Sequence, residues 1–468
     1  MDMDTPPFLE EFLGKILALA VDIIPSAKTG SLKISRKDNL MEYVSAIGFP
    51  IKELKKIKFD FNTNPFIREF INKNIRTTII PVKELEAYHK NKISDEDKNI
   101  LINIGRITEM KTILASSLLL MPTKGFYKDN IIGYICLDNY EGEFTKQDID
   151  KANIFAEIAS YAITSSKLID MLVIDIGNSL QILVSTIDVL KTYITFDGRL
   201  NEVYNLILAS QERLELLLRS IQNEVLHLID GKKSSLLKEF SLPAFMKDFF
   251  DKILKLAIEL LPNTETGSMF IRKGNELNFI ATKGFNLVKI SDITFSYSEN
   301  PFIKKMNALK KRTVIMDGKD LENKNKELFT KDNFEVLQTD GKVQEMNKII
   351  STSLSLPIKI GSDISESIFG LFNLETYGEN EIATQDKKTV EIFGEMASYA
   401  IYTALLTDIF CHNIGNDIQV ISSGYNILYN TIENEKIKEI ALLAKKSIEE
   451  VVILVKNVQK RVQTFSSE

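Results

Sequence analysis

Ile154-Phe155-Ala156-Glu157-Ile158-Ala159-Ser160-Tyr161-Ala162-Ile163 returns in the second half of the chain as Ile392-Phe393-Gly394-Glu395-Met396-Ala397-Ser398-Tyr399-Ala400-Ile401. A repeat of this length decides the architecture before any element is assigned, because self-similarity means one unit folded twice. Working outward, Phe12-Leu13-Gly14-Lys15-Ile16-Leu17-Ala18-Leu19-Ala20 matches Phe249-Phe250-Asp251-Lys252-Ile253-Leu254-Lys255-Leu256-Ala257. Thr29-Gly30-Ser31 matches Thr266-Gly267-Ser268, and Asn64-Pro65-Phe66-Ile67 matches Asn300-Pro301-Phe302-Ile303. The register drifts by only a few residues, which marks small loop insertions.

Within each unit, period and punctuation give the order of elements. Residues 8–24 carry apolar positions at helical spacing and stop at Pro25. Residues 30–36 and 41–47 are predicted as strands joined at the turn-forming Lys37-Asp38-Asn39. Asn64 caps a helix that has Pro65 at its first position, and Asn300-Pro301 repeats the signal. A short strand at 77–80, a charged helical stretch near 95–110 and two apolar strands at 114–121 and 130–138 follow. After Phe144-Thr145-Lys146-Gln147-Asp148 a long helix begins.

This order resembles the GAF domain family. The residues that carry the likeness are the strand from Ser117 to Pro122, the strand Gly133-Tyr134-Ile135-Cys136-Leu137, and Phe144 with Asp148 at the start of the long helix. The second copy has Ser353 to Pro357, Gly370-Leu371-Phe372-Asn373-Leu374, and Ile382 with Asp386. The resemblance covers roughly residues 8–165 and 243–403. It implies an α+β fold: an antiparallel sheet with helices packed on one face and a small-molecule pocket on the other. The Asn-Lys…Phe…Asp-Glu signature of cyclic-nucleotide-binding members is not matched. The corresponding places are Asp138-Asn139…Phe144…Asp148-Ile149 and Glu375-Thr376…Ile382…Asp386-Lys387. A bilin-carrying member needs a cysteine in a pocket-facing loop. Cys136 lies in a predicted strand and Cys411-His412 beyond the domain, so neither is an attachment site. The identity of a ligand in either pocket stays open, as does a degenerate pocket that only relays.

Composition agrees with a globular chain and excludes several classes. At 468 residues the chain exceeds a single core. The net charge of −6 comes from intermixed signs with no basic stripe, so nucleic acid is not an expected partner. Apolar runs such as Ile16–Ile24 and Leu114–Met121 fall short of the roughly 20 residues a membrane span needs. The acidic start Met1-Asp2-Met3-Asp4 lacks the pattern of an export signal, which makes the cytoplasm the expected location. Two cysteines and three histidines (His89, His227, His412) form no ligand-spaced cluster, so no metal is expected. Each cysteine is expected to be a small buried residue.

Beyond each GAF-like domain the helix is predicted to continue. Ile414, Ile418, Ile421, Tyr425 and Leu428 step by four, three, four and three residues, and Ile176, Leu180, Leu183, Ile187 and Leu190 match them in the first copy. A second helix follows each, around 200–229 and 435–462, giving two antiparallel hairpins. A single hairpin leaves a stripe open, so two hairpins are expected to form a four-helix bundle, between chains or between copies.

His412, Asn416 and Gln419 project together, away from this stripe. The segment Phe410-Cys411-His412-Asn413-Ile414-Gly415-Asn416-Asp417 resembles the dimerisation and phosphoacceptor helix of sensor histidine kinases. That resemblance implies His412 as phosphoacceptor, Asn413 as its polar neighbour and Asn416 as the phosphatase-type residue. An imidazole can be phosphorylated on nitrogen, and an amide one turn later can position water. Asn413 stands where an acid is usual, and Asp417 where many members have Pro. Ile174 occupies the corresponding place in the first copy, which therefore cannot accept phosphate. No Asp-x-Gly-x-Gly turn with a Gly-rich lid is found, so autokinase activity from this chain alone is not expected.

The sequence thus divides into a GAF-like domain at 1–165, a helical hairpin at 166–232, a second GAF-like domain at 233–403 and a second hairpin at 404–468. The leading expectation is a cytoplasmic, homodimeric sensor or phosphotransfer protein of two-component type. Its partner would be a kinase or a response regulator, and His412 would be phosphorylated in trans. The rivals are a non-catalytic scaffold that binds a partner kinase, and a histidine kinase fragment whose ATP domain is on another chain.

Overall fold

The computed structural model describes residues 7–36, 39–92, 94–120, 130–193, 198–230, 245–261, 264–290, 292–355, 368–377 and 383–464. The first half contains the helices α1 (Pro7–Ile23), α2 (Ile51–Leu54), α3 (Pro65–Lys73), α4 (Val82–Lys92), α5 (Asp95–Asn103), α6 (Lys146–Tyr193) and α7 (Gly198–Asp230). Its strands are β1 (Thr29–Ser35), β2 (Leu40–Ile47), β3 (Lys58–Asp60), β4 (Thr77–Pro81), β5 (Thr112–Leu119) and β6 (Ile131–Asn139). The second half repeats them with α8 (Phe245–Leu260), α9 (Leu287–Ile290), α10 (Pro301–Leu309), α11 (Gly318–Leu328), α12 (Lys331–Thr339), α13 (Thr384–Thr431) and α14 (Glu435–Thr464). Its strands are β7 (Thr264–Lys273), β8 (Glu276–Lys283), β9 (Phe295–Ser296), β10 (Thr313–Asp317), β11 (Lys348–Ser355) and β12 (Ile368–Thr376).

Chain contacts divide the molecule into two compact units; the divisions include Thr164/Ser165 inside α6, Met246/Lys247 inside α8 and Ser398/Tyr399 inside α13. The first unit holds both sheets apart from Ser355 at the end of β11 and Ile368 and Phe369 at the start of β12. Each is six-stranded, in the orders β3-β2-β1-β6-β5-β4 and β10-β11-β12-β7-β8-β9, and every paired register is antiparallel. The fold is therefore the α+β, GAF-like arrangement expected of each copy.

Strand alternation sorts side chains onto two faces. On β1, a Cβ at Gly30 would meet Leu17 and Val21 of α1, so Gly30, Leu32 and Ile34 face that helix while Ser31 and Lys33 face the other side. The buried α1 residues Leu13, Ile16, Leu17 and Ala20, with Phe155, Ala156 and Ala159 of α6, close the first face. Burying a Leu or Ile side chain contributes about 1.5–3 kcal/mol, so this apolar layer anchors the sheet. On the opposite face α2 to α5 roof a cavity, so helices lie on both faces of the sheet and not on one alone. The Asn64 cap forms as predicted: its Oδ1 accepts from the Phe66 and Ile67 amides at 3.1 and 3.4 Å, and Asn300 repeats this at 3.0 and 3.2 Å.

The two copies meet inside this unit through equivalent positions. Lys15 of α1 donates to Glu395 of α13 at 2.8 Å, and Lys252 of α8 donates to Glu157 of α6. Such reciprocal pairing is what a two-fold arrangement of duplicated halves produces.

In the second unit all ten predicted stripe residues of α6 and α13 are buried. Ile207 and Leu214 of α7, and Ala441, Ala444, Ile448, Val451 and Val455 of α14, supply the buried positions of the second helices. The hairpins pack on each other within one chain: the Tyr425 hydroxyl donates to the Leu183 carbonyl at 2.8 Å, and Arg213 pairs with Asp417 at 2.6 Å. The open seam that the sequence reading would close with a second hairpin, from either source, is closed here by the other copy. Among the described residues, no helix is long and apolar enough to cross a membrane.

Candidate ligand cavities and the His412 helix

The first cavity holds about 560 Å³ of empty space, counted out through its open mouth into solvent. Its floor is the outward face of β1, β2 and β6. Lys33 stands opposite Tyr43 on β2 and opposite Tyr134 on β6, with Ser31 opposite Cys136. An irregularity in the β1–β2 ladder between Leu32 and Lys33 accompanies this placement. The Lys33 side chain is 5% exposed. Its Nζ donates to Ser31 Oγ at 3.0 Å and lies 4.2 Å from the Tyr43 ring centroid, 5.0 Å from that of Tyr134 and 6.0 Å from that of Phe59. Burial works against its charge, while Tyr43, Cys136, Tyr134 and Asp138 support it, and the net direction is upward, so the ammonium stays charged.

Around this cation the polar groups are spoken for. Asp138 accepts from the Thr29 hydroxyl at 2.8 Å, and burial pushes its carboxyl up to about 6. Tyr134 accepts from the Asn64 amide at 2.9 Å, which leaves its own proton to donate. Cys136 lines the cavity, and burial pushes its thiol up to about 12, so it stays protonated and is not a nucleophile. The expectation of a small buried cysteine in a strand holds, with the addition that its strand position faces the cavity.

The second cavity encloses about 590 Å³ on the same terms. Phe270 holds the place of Lys33, opposite Phe279 on β8 and Leu371 on β12, and the ladder irregularity recurs between Met269 and Phe270. Phe270 packs at ring-centroid distances of 4.3 Å to Phe279 and 5.3 Å to Phe295. Without a lysine, Ser268 turns to Glu375 at 3.0 Å and Thr266 joins it at 2.9 Å; burial nevertheless pushes Glu375 up to about 7. Asn325 and Asn373 are buried, and the Oδ1 of each has no hydrogen-bond partner.

Of the positions compared with the nucleotide signature, Asp138 and Glu375 line the cavities. Asp148 instead caps α6, accepting from the Thr145 amide at 2.8 Å, and Asp386 accepts from the Ala383 amide at 2.8 Å at the start of α13. Ile382 lies outside the described residues.

His412, Asn413 and Asn416 all fall within α13. The side chains of Cys411, His412 and Asn413 lie outside the described residues, as does that of Ile174. Asn416 and Gln419 are exposed, on the side away from the buried Ile414, Ile418 and Ile421. Asp417, which stands where many phosphoacceptor helices have Pro, is half-buried and accepts from Arg213 of α7 at 2.9 and 2.6 Å. Its role in this chain is therefore a link between hairpins. Among the described residues no three His, Cys, Asp or Glu side chains converge on a metal-sized site.

Sequence reading did not single out Lys33. The available signal is the alternation Ser31-Leu32-Lys33-Ile34, which puts a charge on the ligand face of a central strand, and the exchange of Lys33 for Phe270 between copies.

No family model matches this sequence, and no curated protein matches it. Among solved structures, the GAF domain/HD domain protein from Geobacter sulfurreducens is similar at 9% identity and TM-score 0.25, over 33% of this chain and 90% of that one. The GAF domain of a phosphoenolpyruvate-protein phosphotransferase from Acinetobacter is similar at 11% identity and TM-score 0.26, over 41% and 93%. The blue-light absorbing form of the PixJ GAF domain from Thermosynechococcus elongatus is similar at 12% identity and TM-score 0.25, over 35% and 89%.

Proposed function

We propose that this chain is a signalling sensor in which two GAF-like domains control a helical bundle, and that His412 exchanges phosphate with a partner kinase or a response-regulator aspartate. The observation that carries the sensory reading is the pair of roofed cavities with buried polar groups, each in a domain whose closing helix is also a stripe-bearing helix of the bundle. A ligand that binds one arrangement of such a domain better than another shifts its population, and a helix shared in sequence offers the route for that shift. The exposure of Asn416 and Gln419 on the face away from the stripe supports the phosphotransfer reading, since a phosphoacceptor and its water-positioning amide must reach solvent. The three domain boundaries expected from the sequence, at 165, 232 and 403, and a homodimeric state belong to the same proposal.

A second reading, a scaffold for a partner kinase without phosphate chemistry, is favoured by one specific feature. Exposed apolar residues recur at matching places in both hairpins: Ile182 with Val420, Val189 with Ile427, Leu206 with Leu443 and Leu216 with Ile453. Phosphate incorporation from a cognate kinase, compared between the natural chain and His412→Gln, separates the two. Loss of labelling in the variant supports phosphotransfer, and equal labelling, or none in either, removes it.

A further inference from the structure

Lys33 sets a buried ammonium against the first cavity with no carboxylate of the described residues in direct contact. An ammonium has three donors; here Ser31 Oγ accepts one at 3.0 Å, and the Tyr43 hydroxyl also interacts with Nζ by hydrogen bonding, which leaves donor capacity toward the cavity. Among the described residues no carboxylate lies within the 4.0 Å ion-pair distance of its Nζ, because Asp138, on the same face of the sheet, is turned to Thr29. The rings of Tyr43, Tyr134 and Phe59 add cation–π attraction, which strengthens where water is excluded. Taking an ion out of water is costly, and an anion brought against Nζ would add the direct ion pair that the described residues do not supply.

We infer that the first cavity takes a small organic monoanion, a carboxylate on an apolar body, with the carboxylate set against Lys33 Nζ. This rests on the sensory reading above and gives that site a ligand class. Charge matching limits the ligand to one negative charge, since among the described residues one cation lines the space and Asp138 stands near it. The Tyr134 hydroxyl, already accepting from Asn64, supplies a second donor to the same anion. Phe49, Phe66, Leu85, Leu101 and Met110 line the remainder, which suits an aliphatic or aromatic body and not a phosphate or a sugar. The second cavity is the internal contrast: Phe270 replaces the cation, and Glu375 with two unpaired Asn oxygens opposes an anion.

The test uses the full chain at pH 7.5 and constant ionic strength. Acetate to octanoate, benzoate and phenylacetate, each beside its primary amide, are followed by thermal unfolding and titration calorimetry. The expected result is saturable binding by at least one carboxylate, at least tenfold tighter than its amide, and at least tenfold weaker in Lys33→Met. The acid-against-amide comparison needs no variant, so it holds whether or not Lys33→Met folds. Equal binding of acid and amide overturns the charge assignment and leaves the cavity as a sensory site. Binding by none of the carboxylates, or undiminished binding in Lys33→Met, also overturns it, and none of these outcomes bears on phosphate exchange at His412.

Discussion

The two cavities share a frame and differ at its centre. Thr29, Asp138 and Tyr140 form a hydroxyl–carboxylate cluster that recurs as Thr266, Glu375 and Tyr377. The Asn64 cap recurs as Asn300, and Gly133, whose Cβ would meet the Lys33 carbonyl at 2.2 Å, recurs as Gly370 at 2.2 Å from the Phe270 carbonyl. Against this constancy, the middle of the central strand carries Lys33 in one copy and Phe270 in the other. Duplication has kept what holds the sheet together and has changed what faces the cavity. Residues that are alike in both halves therefore report on folding, and residues that differ report on what each cavity admits.

The sharpest way to break this contrast is to exchange the centres. Phe270→Lys removes a ring packed on Phe279 and Phe295 and buries an ammonium. It is expected to destabilise the chain by about 3–5 kcal/mol, in the range of Phe truncation in a core. Lys33→Met should instead be neutral or stabilising by about 1–4 kcal/mol, as replacing buried charge by apolar bulk often is. Chemical denaturation of both variants checks the pair. Similar losses in both would mean that Lys33 is a structural group and would remove the asymmetry.

A smaller effect comes from the two buried carboxylates. Glu375 is raised to about 7 and Asp138 to about 6, above unfolded values of about 4.3 and 3.9. Between those values the folded chain holds a proton that the unfolded chain has released. The stability this contributes is complete below the unfolded value and is lost as pH rises through the folded one. Glu375 thus accounts for a decline of roughly 3 kcal/mol from pH 4 to 7, and Asp138 for about 2–3 kcal/mol from pH 4 to 6. Glu375→Gln should flatten the curve up to pH 7 and Asp138→Asn only up to pH 6. Unfolding free energies measured across this range check the order, and an unchanged slope in either variant contradicts its assignment.

Much of this frame was legible in the sequence because it repeats. The Asn64-Pro65 and Asn300-Pro301 caps have a local mechanism and formed where the chain announced them. The stripe from Ile176 to Leu190 and its match from Ile414 to Leu428 gave buried positions without exception, since a heptad spacing has one packing solution. The source of the partner hairpin was not legible. A stripe states that it needs a neighbour but not whose, and only contacts such as Tyr425 on Leu183 identify the other copy. The cavity centre was equally hidden. Lys33 reads locally as an ordinary strand residue, and its burial arises from Tyr43 on the next strand together with Tyr134, which lies on a strand remote in sequence. His412 is the opposite case: its spacing to Asn416 was plain, because one helical turn is a local property of the chain.

The finest test of shared frame against changed detail lies in the long helices. Gly177 of α6 has open space where a Cβ would be, whereas a Cβ at Gly424 of α13 would meet Ile207 Cγ1 at 2.6 Å and Cδ1 at 2.8 Å. Both glycines carry the same intrinsic penalty of about 1 kcal/mol relative to Ala in a helix. Gly177→Ala meets nothing and should recover most of that, raising stability by about 0.5–1 kcal/mol. Gly424→Ala recovers the same propensity but must displace Ile207 from a packed seam, where overpacking costs about 1–3 kcal/mol. Its net effect should be a loss of up to about 2 kcal/mol, the difference of those two effects. Denaturation midpoints of the two variants check the opposite signs. Gains in both would mean that Ile207 swings aside freely and that the close approach of α13 to α7 carries no packing energy.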